Sequence, residues 1–436
     1  MFFNKVTYEV LKTVHLGFSF LLLFSADFTF NNLMPTMYKR ISFENPSFSI
    51  DGFTGLGGLY FVYGITLWLA PSINSVIGPR MGMVIGAVFI TFHISIVEFE
   101  LVWLIYLGIL FSGFGGSILW VGEGNYIVLN SKNINVTRHV CIFWVLYTGS
   151  MIVGNLYMTL HLHNATDLDR ETRALLLRIL TGIGLVSAVS MCFLRTPTAV
   201  EEHKIINEGP LKTLVQTFKL YLTPEMRLLF LTFIYAGFQQ SFGWSIYETC
   251  VGFTKSFGPR ATELVPLSGL TYGVGNSLGG AFHMIIAKKV IIKCQRGLII
   301  CVSGVLQIIA LFLTFLNLPN ESVFGPTSQV SVIEPSVGLA LGCGFILGFG
   351  DSCINTQIFS LLAHIHPDHS ANTSALYKFT KCMAMAGFFF IGISLGLHYQ
   401  ILVIVVMAIG GSIAFFLVDY KTCSRIKNYP VCADQS

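Results

Sequence analysis

Charge is what this 436-residue chain has least of: Asp, Glu, Lys and Arg make up 11% of it, against 53% hydrophobic residues. With a mean hydropathy of +0.70 it has too little polar surface for a water-soluble fold. It also lacks any long block of like charge, and the net charge of +4 is spread over loops, which excludes a nucleic-acid partner. There is no phosphate-binding glycine loop, nucleophile elbow or zinc-helix motif. GFGGS at Gly113 to Ser117 lies inside an apolar run and reads as a helix-packing element. An ATP-driven pump and an enzyme are thereby disfavoured, and no cofactor is expected. Of ten cysteines only Cys250 sits near the outer face, so no disulfide framework is expected. HIHPDH at His364 to His369 is broken by Pro367 and has no second ligand cluster, so no metal is assigned to it. Ten-residue alternation of apolar and polar positions is missing too, which excludes an outer-membrane barrel.

What the chain has instead is apolar runs long enough to cross a bilayer, each about 20 residues. Twelve are predicted: Leu11 to Leu33, Gly55 to Ile77, Met81 to Val97, Leu101 to Val121, Val140 to Leu160, Ala174 to Phe193, Leu228 to Val251, Leu267 to Ala287, Gly297 to Leu316, Val337 to Leu362, Thr373 to Ser394 and Leu397 to Val418. The first lacks a small-x-small cleavage site and is read as a retained helix rather than a signal peptide. With the N-terminus inside, 19 of the 26 Lys and Arg fall on the cytoplasmic side or its edge, six fall outside and Arg178 falls within a span. The positive-inside rule then puts both termini in the cytoplasm. The sequons at Asn164 and Asn320 fall in outside loops, and those at Asn135 and Asn372 fall inside.

An internal echo divides the chain. GSILWVGE at Gly116 to Glu123 returns as GFILGFGD at Gly344 to Asp351, with glycine, Ile-Leu, glycine and acid at the same offsets. Ser-Gly-Leu at Ser268 and Thr-Gly-Leu at Thr54 open the eighth and second spans, pairing helix n with helix n+6 again. Transporters built from repeats place their working site between the halves. The predicted units are 1–195, a six-helix bundle; 196–227, a cytoplasmic linker with apolar positions at Leu211, Leu214, Val215, Phe218 and Leu220; and 228–436, a second six-helix bundle with a short tail.

Several segments carry a resemblance over essentially the whole chain: APSINSVIGPRMGM from Ala70, ILWVGEGNYIVLNS from Ile118, IFWVLYTGSMIVGNLY from Ile142, YETCVG from Tyr247 and LGFGDSCINTQ from Leu347. They resemble the Unc-93-like branch of the major facilitator superfamily. The resemblance implies an all-α membrane protein, twelve transmembrane helices in two six-helix bundles, with largely unassigned substrates. It also implies two kinds of partner, a small solute to be transported or a channel or receptor to be regulated or trafficked, at the plasma membrane or an endolysosomal membrane. Gly78-Pro79-Arg80 lacks the acid and basic pair of the usual facilitator loop, and a glutamine is commoner in the family at the position of Glu123.

An ionised carboxylate in hydrocarbon calls for a cavity or a partner. Asp351 lies mid-span, with Gly344, Gly348, Ser352 and Asn355 on or beside its face. It is read either as a substrate or coupling-ion carboxylate or as a structural acid bonded to a neighbouring helix. Glu123, flanked by Trp120 and Asn125, is a cation or proton site or else an interfacial acid paired with a cation such as Arg138. Asp27, with Asn31 one turn on, is read as lying near the outer end of the first span. Tyr272, Asn276, Gly279 and His283 recur at helical spacing, either lining a cavity or packing two helices. His15, His93, Tyr147, Asn155 and Tyr157 are read mainly as packing residues, and Trp120 and Trp244 as aromatics that shape a central cavity.

The topology makes one direct prediction. Mass mapping after glycosidase treatment should find glycans on Asn164 and Asn320 alone, and a glycan on Asn135 or Asn372 would overturn the orientation.

Overall fold

The structure, a computed structural model, describes residues 2–131, 136–161, 168–195, 219–287, 295–366 and 370–428, and side chains within them except at 2–8, 136–137, 283–287, 370–371 and 425–428. The linker 196–218 and Asn135 and Asn164 thus lie outside the described residues.

Among the described residues the regular structure is helical apart from one isolated bridge, Thr254 with Thr327. The helices are α1 (Phe2–Glu44), α2 (Gly52–Thr66), α3 (Ala70–Ile77), α4 (Pro79–Ile96), α5 (Val102–Asn130), α6 (Val136–His161), α7 (Arg170–Cys192), α8 (Pro224–Ser241), α9 (Tyr247–Phe253), α10 (Leu264–Ala287), α11 (Gln295–Asn317), α12 (Val337–Ile365), α13 (Ser370–Gly392) and α14 (Leu397–Asn428). They make twelve crossings, because α2 and α3 form one bent span and α8 and α9 are joined through a π-helical turn, Phe242–Ile246. Among the described residues, eight helices are long and apolar enough to cross a membrane, or nine with the bent pair. The crossings short of that measure are α8–α9, α10 and α13, which carry Glu248, Asn276 and the pair Lys378 and Lys381.

Local chemistry sets several ends. Asp51 caps α2, its Oδ1 accepting from Phe53 N at 2.8 Å and Thr54 N at 3.2 Å, and Asp169 caps α7 by accepting from Thr172 N at 3.0 Å. The 66° bend between α2 and α3 falls just ahead of Pro71, which has no N–H for the preceding turn. Gly78, at φ +83°, makes the sharp turn into α4 that a side chain would strain.

The repeat is visible in the packing. A Cβ on Gly116 would meet Tyr63 Cδ2 at 3.0 Å, in the second span, and one on Gly344 would meet Thr271 Oγ1 at 3.0 Å, in the eighth. The second glycine of each motif does the same one helix further: Gly122 lies against Pro79 O at 2.8 Å at the start of the third span, and Gly350 lies against Gln307 in the ninth. Matching glycines therefore serve matching neighbours in both halves. Within the second half, α10 and α12 touch backbone to backbone, Gly275 against Phe345 O, Gly279 against Phe349 O and Gly348 against Tyr272 O.

The halves meet along α2 with α13 and α6 with α10. Phe53 and Tyr60 stack on Phe389 at 6.3 and 5.9 Å, and Trp68 tilts against Phe379 at 5.3 Å. On the face opposite the termini, α1 also packs on α9 and Phe28 meets Trp244 at 5.0 Å, while Thr254 bridges to Thr327 within the second half. On that face the first half is tied internally by Arg173, 3% exposed, which pairs with Glu44 at 2.6 Å and Glu100 at 3.2 Å. The Arg173 hydrogen bond holds the Glu44 carboxyl below its ordinary range. A cleft of about 370 Å³ beside it is lined by Glu98, Glu100, Arg170, Arg173 and Arg178, none of which belongs to the site described below.

The α10–α12 contact is testable. Gly348→Ala should cost about 1–3 kcal/mol, because no side chain but a backbone carbonyl would have to give way. Gly124→Ala, with nothing within 4 Å, should leave the unfolding temperature of the purified protein unchanged.

Candidate functional site

The α10–α12 crossing decides who partners Asp351. Because three glycines let the backbones touch, Asn276 of α10 reaches across and donates Nδ2 to Asp351 Oδ2 at 2.9 Å. One turn along α12, Asn355 donates to Asp351 Oδ1 at 2.8 Å. The carboxamide oxygen of Asn355 in turn accepts from Tyr377 OH at 2.6 Å and from Lys381 Nζ at 2.6 Å. Asp351 is 2% exposed, so both its oxygens are paired and a cation stands one residue away, through an amide. This is a charge-assisted network of the kind that survives low dielectric only when fully satisfied.

Three residues predicted from the sequence, Asp351, Asn355 and Asn276, are brought together here. Tyr377 and Lys381 complete this candidate site without standing out in the sequence, although both fall inside the predicted eleventh span. Their signal in the sequence is two ammonium groups, Lys378 and Lys381, three residues apart inside an apolar run.

Glu123 is 8% exposed, and the cation within electrostatic reach of it is Lys378 of α13, while Arg138 is exposed. The Lys378 ammonium lies 5.9 Å from the ring centroid of Trp120, one turn before Glu123. The two matched carboxylates therefore draw their cations from a single helix in the second half.

Asp27 is displaced from its expected position. Because α1 runs on to Glu44, roughly 25 Å of helix at 1.5 Å per residue lies beyond it, so it sits deep in the bundle at 9% exposure, not at an interface. Around it Phe20, Phe24 and Phe28 repeat every turn. Phe24 meets Trp120 at 5.3 Å and Tyr147 at 5.1 Å, and Phe28 passes contact on to Trp244 of the other half. Trp120 and Trp244 thus belong to one aromatic wall between the halves.

The remaining candidates are separate. His283 is in α10, but its side chain lies outside the described residues. His15 meets Ser190 Oγ at 3.1 Å, and His93 is 1% exposed with its ring 5.2 Å from Phe30. Asn155 accepts from Asn32 at 3.4 Å and fills the space beside Gly269, joining α6 to α10. Tyr157 stacks on His161 at 5.7 Å. Asn320 is half-buried, and its Oδ1 accepts from His398 N at 2.9 Å. One further acid was not singled out: Glu248, 1% exposed, just after the π-helical turn.

Two six-helix bundles meeting along such a wall define a multi-pass membrane protein of the major facilitator type. Solved structures agree: a nucleoside transporter, NupG, matches with a TM-score of 0.64 over 93% of this chain and 99% of its own, at 13% identity. A POT family transporter in complex with 5-aminolevulinic acid matches at 0.63 over 93% and 96%, also at 13% identity. Residues 47–416 match the family described as ion channel regulatory protein UNC-93, and the chain belongs to the UNC-93 family. UNC93-like protein MFSD11 of Xenopus laevis is 32% identical, covering 96% of this chain and 97% of the relative. UNC93-like protein 3 of Arabidopsis thaliana is 24% identical, covering 91% and 83%.

The network predicts coupling between its members. Lys381→Met should destabilise more in the presence of Asp351 than in an Asp351→Asn background, with an interaction energy of about 0.5–3 kcal/mol. Thermal unfolding of the two single variants and the double variant measures it, and strict additivity would separate the two groups.

Proposed function

We propose that this protein is a secondary transporter of a small solute, in which the two bundles rock about the aromatic wall and Asp351 exchanges a proton or cationic group against Lys381. The observation that carries the reading is the Asp351–Asn355–Lys381 network beside the junction of the halves. Lys381 sits on α13, which packs on α2 of the first half as well as on α8 of its own. Rocking would lengthen or shorten the reach of Lys378 to Glu123, while the Asp351 cluster travels with its own bundle. Occupancy at Asp351 would then bias the position of α13, and through Lys378 the relation of the halves. Glu123 and Asp27 are modulating carboxylates in this scheme, and Trp120 and Trp244 shape the solute's surroundings. Contact of α1 with α9 and of Phe28 with Trp244 supports a state closed on the face opposite the termini. In keeping with the distribution of basic residues, the termini face the cytoplasm. The unit boundaries are those of the sequence, 1–195 and 228–436 joined by the linker.

The second reading is a non-transporting accessory protein that regulates or traffics a channel or receptor. What favours it is the family's own description as ion channel regulatory. The fold alone does not decide, because one scaffold hosts several roles.

Asp351→Asn separates the two. In a transporter the isostere keeps the shape of the cluster, so abundance should hold while pH- or cation-dependent flux in proteoliposomes is lost. In an accessory protein the acid is structural, and losing a charge-assisted hydrogen bond worth about 1.5–3 kcal/mol should lower abundance instead. Unaltered abundance with unaltered flux at every pH would remove Asp351 from the mechanism.

A further inference from the structure

Glu248 is the buried carboxylate that the scheme above leaves unused. It is 1% exposed, and among the described residues its Oε2 has no hydrogen-bond partner and no ion pair involves it. Its neighbours on the same helix face repeat the anomaly. Ser245, three residues before, and Thr249, one after and a full turn from Ser245, are 2% and 0% exposed, and neither hydroxyl has a partner. A buried helical Ser or Thr ordinarily returns its proton to a carbonyl one turn back, as Ser241 does to Gly237 O at 2.9 Å and Thr254 to Cys250 O at 2.8 Å in the same span. Ser245 and Thr249 do not.

Ser245 lies in the π-helical turn, whose i→i+5 bond runs from the amide of Tyr247 to Phe242 O. Glu248 and Thr249 follow in the α-helix, three and four residues after Ser245, so both flank the side of the helix that Ser245 occupies. Nearby, Val265 of α10 closes on Gly252, and the Tyr272 ring lies on Gly243 with its hydroxyl in electrostatic reach of both Glu248 and Asp351.

The donor set is chemically narrow. Three oxygens with no nitrogen or sulfur suit hard cations and not transition metals. A single carboxylate offers one negative charge, whereas calcium collects six to eight oxygens from several acids and magnesium keeps its own octahedral water. We propose that Ser245, Glu248 and Thr249 form a binding site for a small monovalent cation, with sodium as the ion. Both partnerless hydroxyls point their lone pairs to the ion, and the ion supplies the charge that the protein withholds from Glu248. The site does not rest on the transporter reading, since an accessory protein of this fold would carry it equally.

The test uses the full chain purified in detergent, with thermal unfolding followed as choline chloride is replaced by sodium chloride at constant ionic strength. Sodium should raise the unfolding temperature by a few degrees and saturate, with potassium weaker. Glu248→Gln should abolish the rise. Should that variant fold poorly, the double change Ser245→Ala with Thr249→Val serves instead, keeping the carboxylate and removing the neutral ligands. Equal unfolding in sodium and choline overturns the proposal. Stabilisation by acid with no effect of sodium overturns it too, since Glu248 would then hold a proton. Loss of the sodium response in Asp351→Asn with retention in Glu248→Gln would move the ion to the other carboxylate. Flux is not read in this experiment, so proteoliposomes that carry nothing would defeat the transporter reading while leaving the sodium shift standing.

Discussion

Two ammonium groups on one helix constrain the interior more than any other feature. A lysine near the middle of a membrane costs about 2.5–3.5 kcal/mol on insertion scales unless something answers its charge. Helix α13 carries two of them, three residues apart and so on neighbouring faces. Lys378 finds Trp120 and Glu123 in the first half, and Lys381 finds Asn355, bonded to Asp351, in the second. The carboxylates, the amides and the tyrosine at 377 follow from that need, and so does the close α10–α12 crossing that brings Asn276 in.

The repeat is kept in the packing and broken in the chemistry. Gly116 with Gly344 and Gly122 with Gly350 hold equivalent helices, and each motif ends on an acid. The helices facing them differ. Phe143, Trp144 and Tyr147 of the fifth span have the spacing of Tyr377, Lys378 and Lys381 of the eleventh. One half presents rings where the other presents cations. The rings of Trp144 and Tyr147 lie 6.0 and 4.9 Å from Trp120, giving the first half an aromatic lining and leaving both charges to the second.

Twelve crossings and two halves were legible because hydropathy and the octapeptide echo are local signals. Asp351 and Asn355 were legible for the same reason, being one turn apart on one helix. Asn276 was noticed by spacing, but its bond to Asp351 depends on how closely two helices approach, which a one-dimensional pattern does not carry. The length of α1 was also hidden: its outer part beyond Leu33, from Met34 to Glu44, reads as loop by hydropathy, yet buried contacts keep it helical and leave Asp27 deep inside. Glu248 escaped because it lies near the end of a predicted span, where an acid usually meets water.

The π-helical turn at Phe242–Ile246 bears on how the two halves are compared. A turn closed by i→i+5 bonds holds one residue more than its α-helical counterpart, so every side chain after it is rotated by roughly 100° from the direction a straight helix would give. An alignment of the first span with the seventh that carries no single-residue offset past Ile246 sets Glu248 against a position facing elsewhere. The direction of that carboxylate is encoded in the number of residues that precede it, and its identity alone would leave it pointing at a different neighbour.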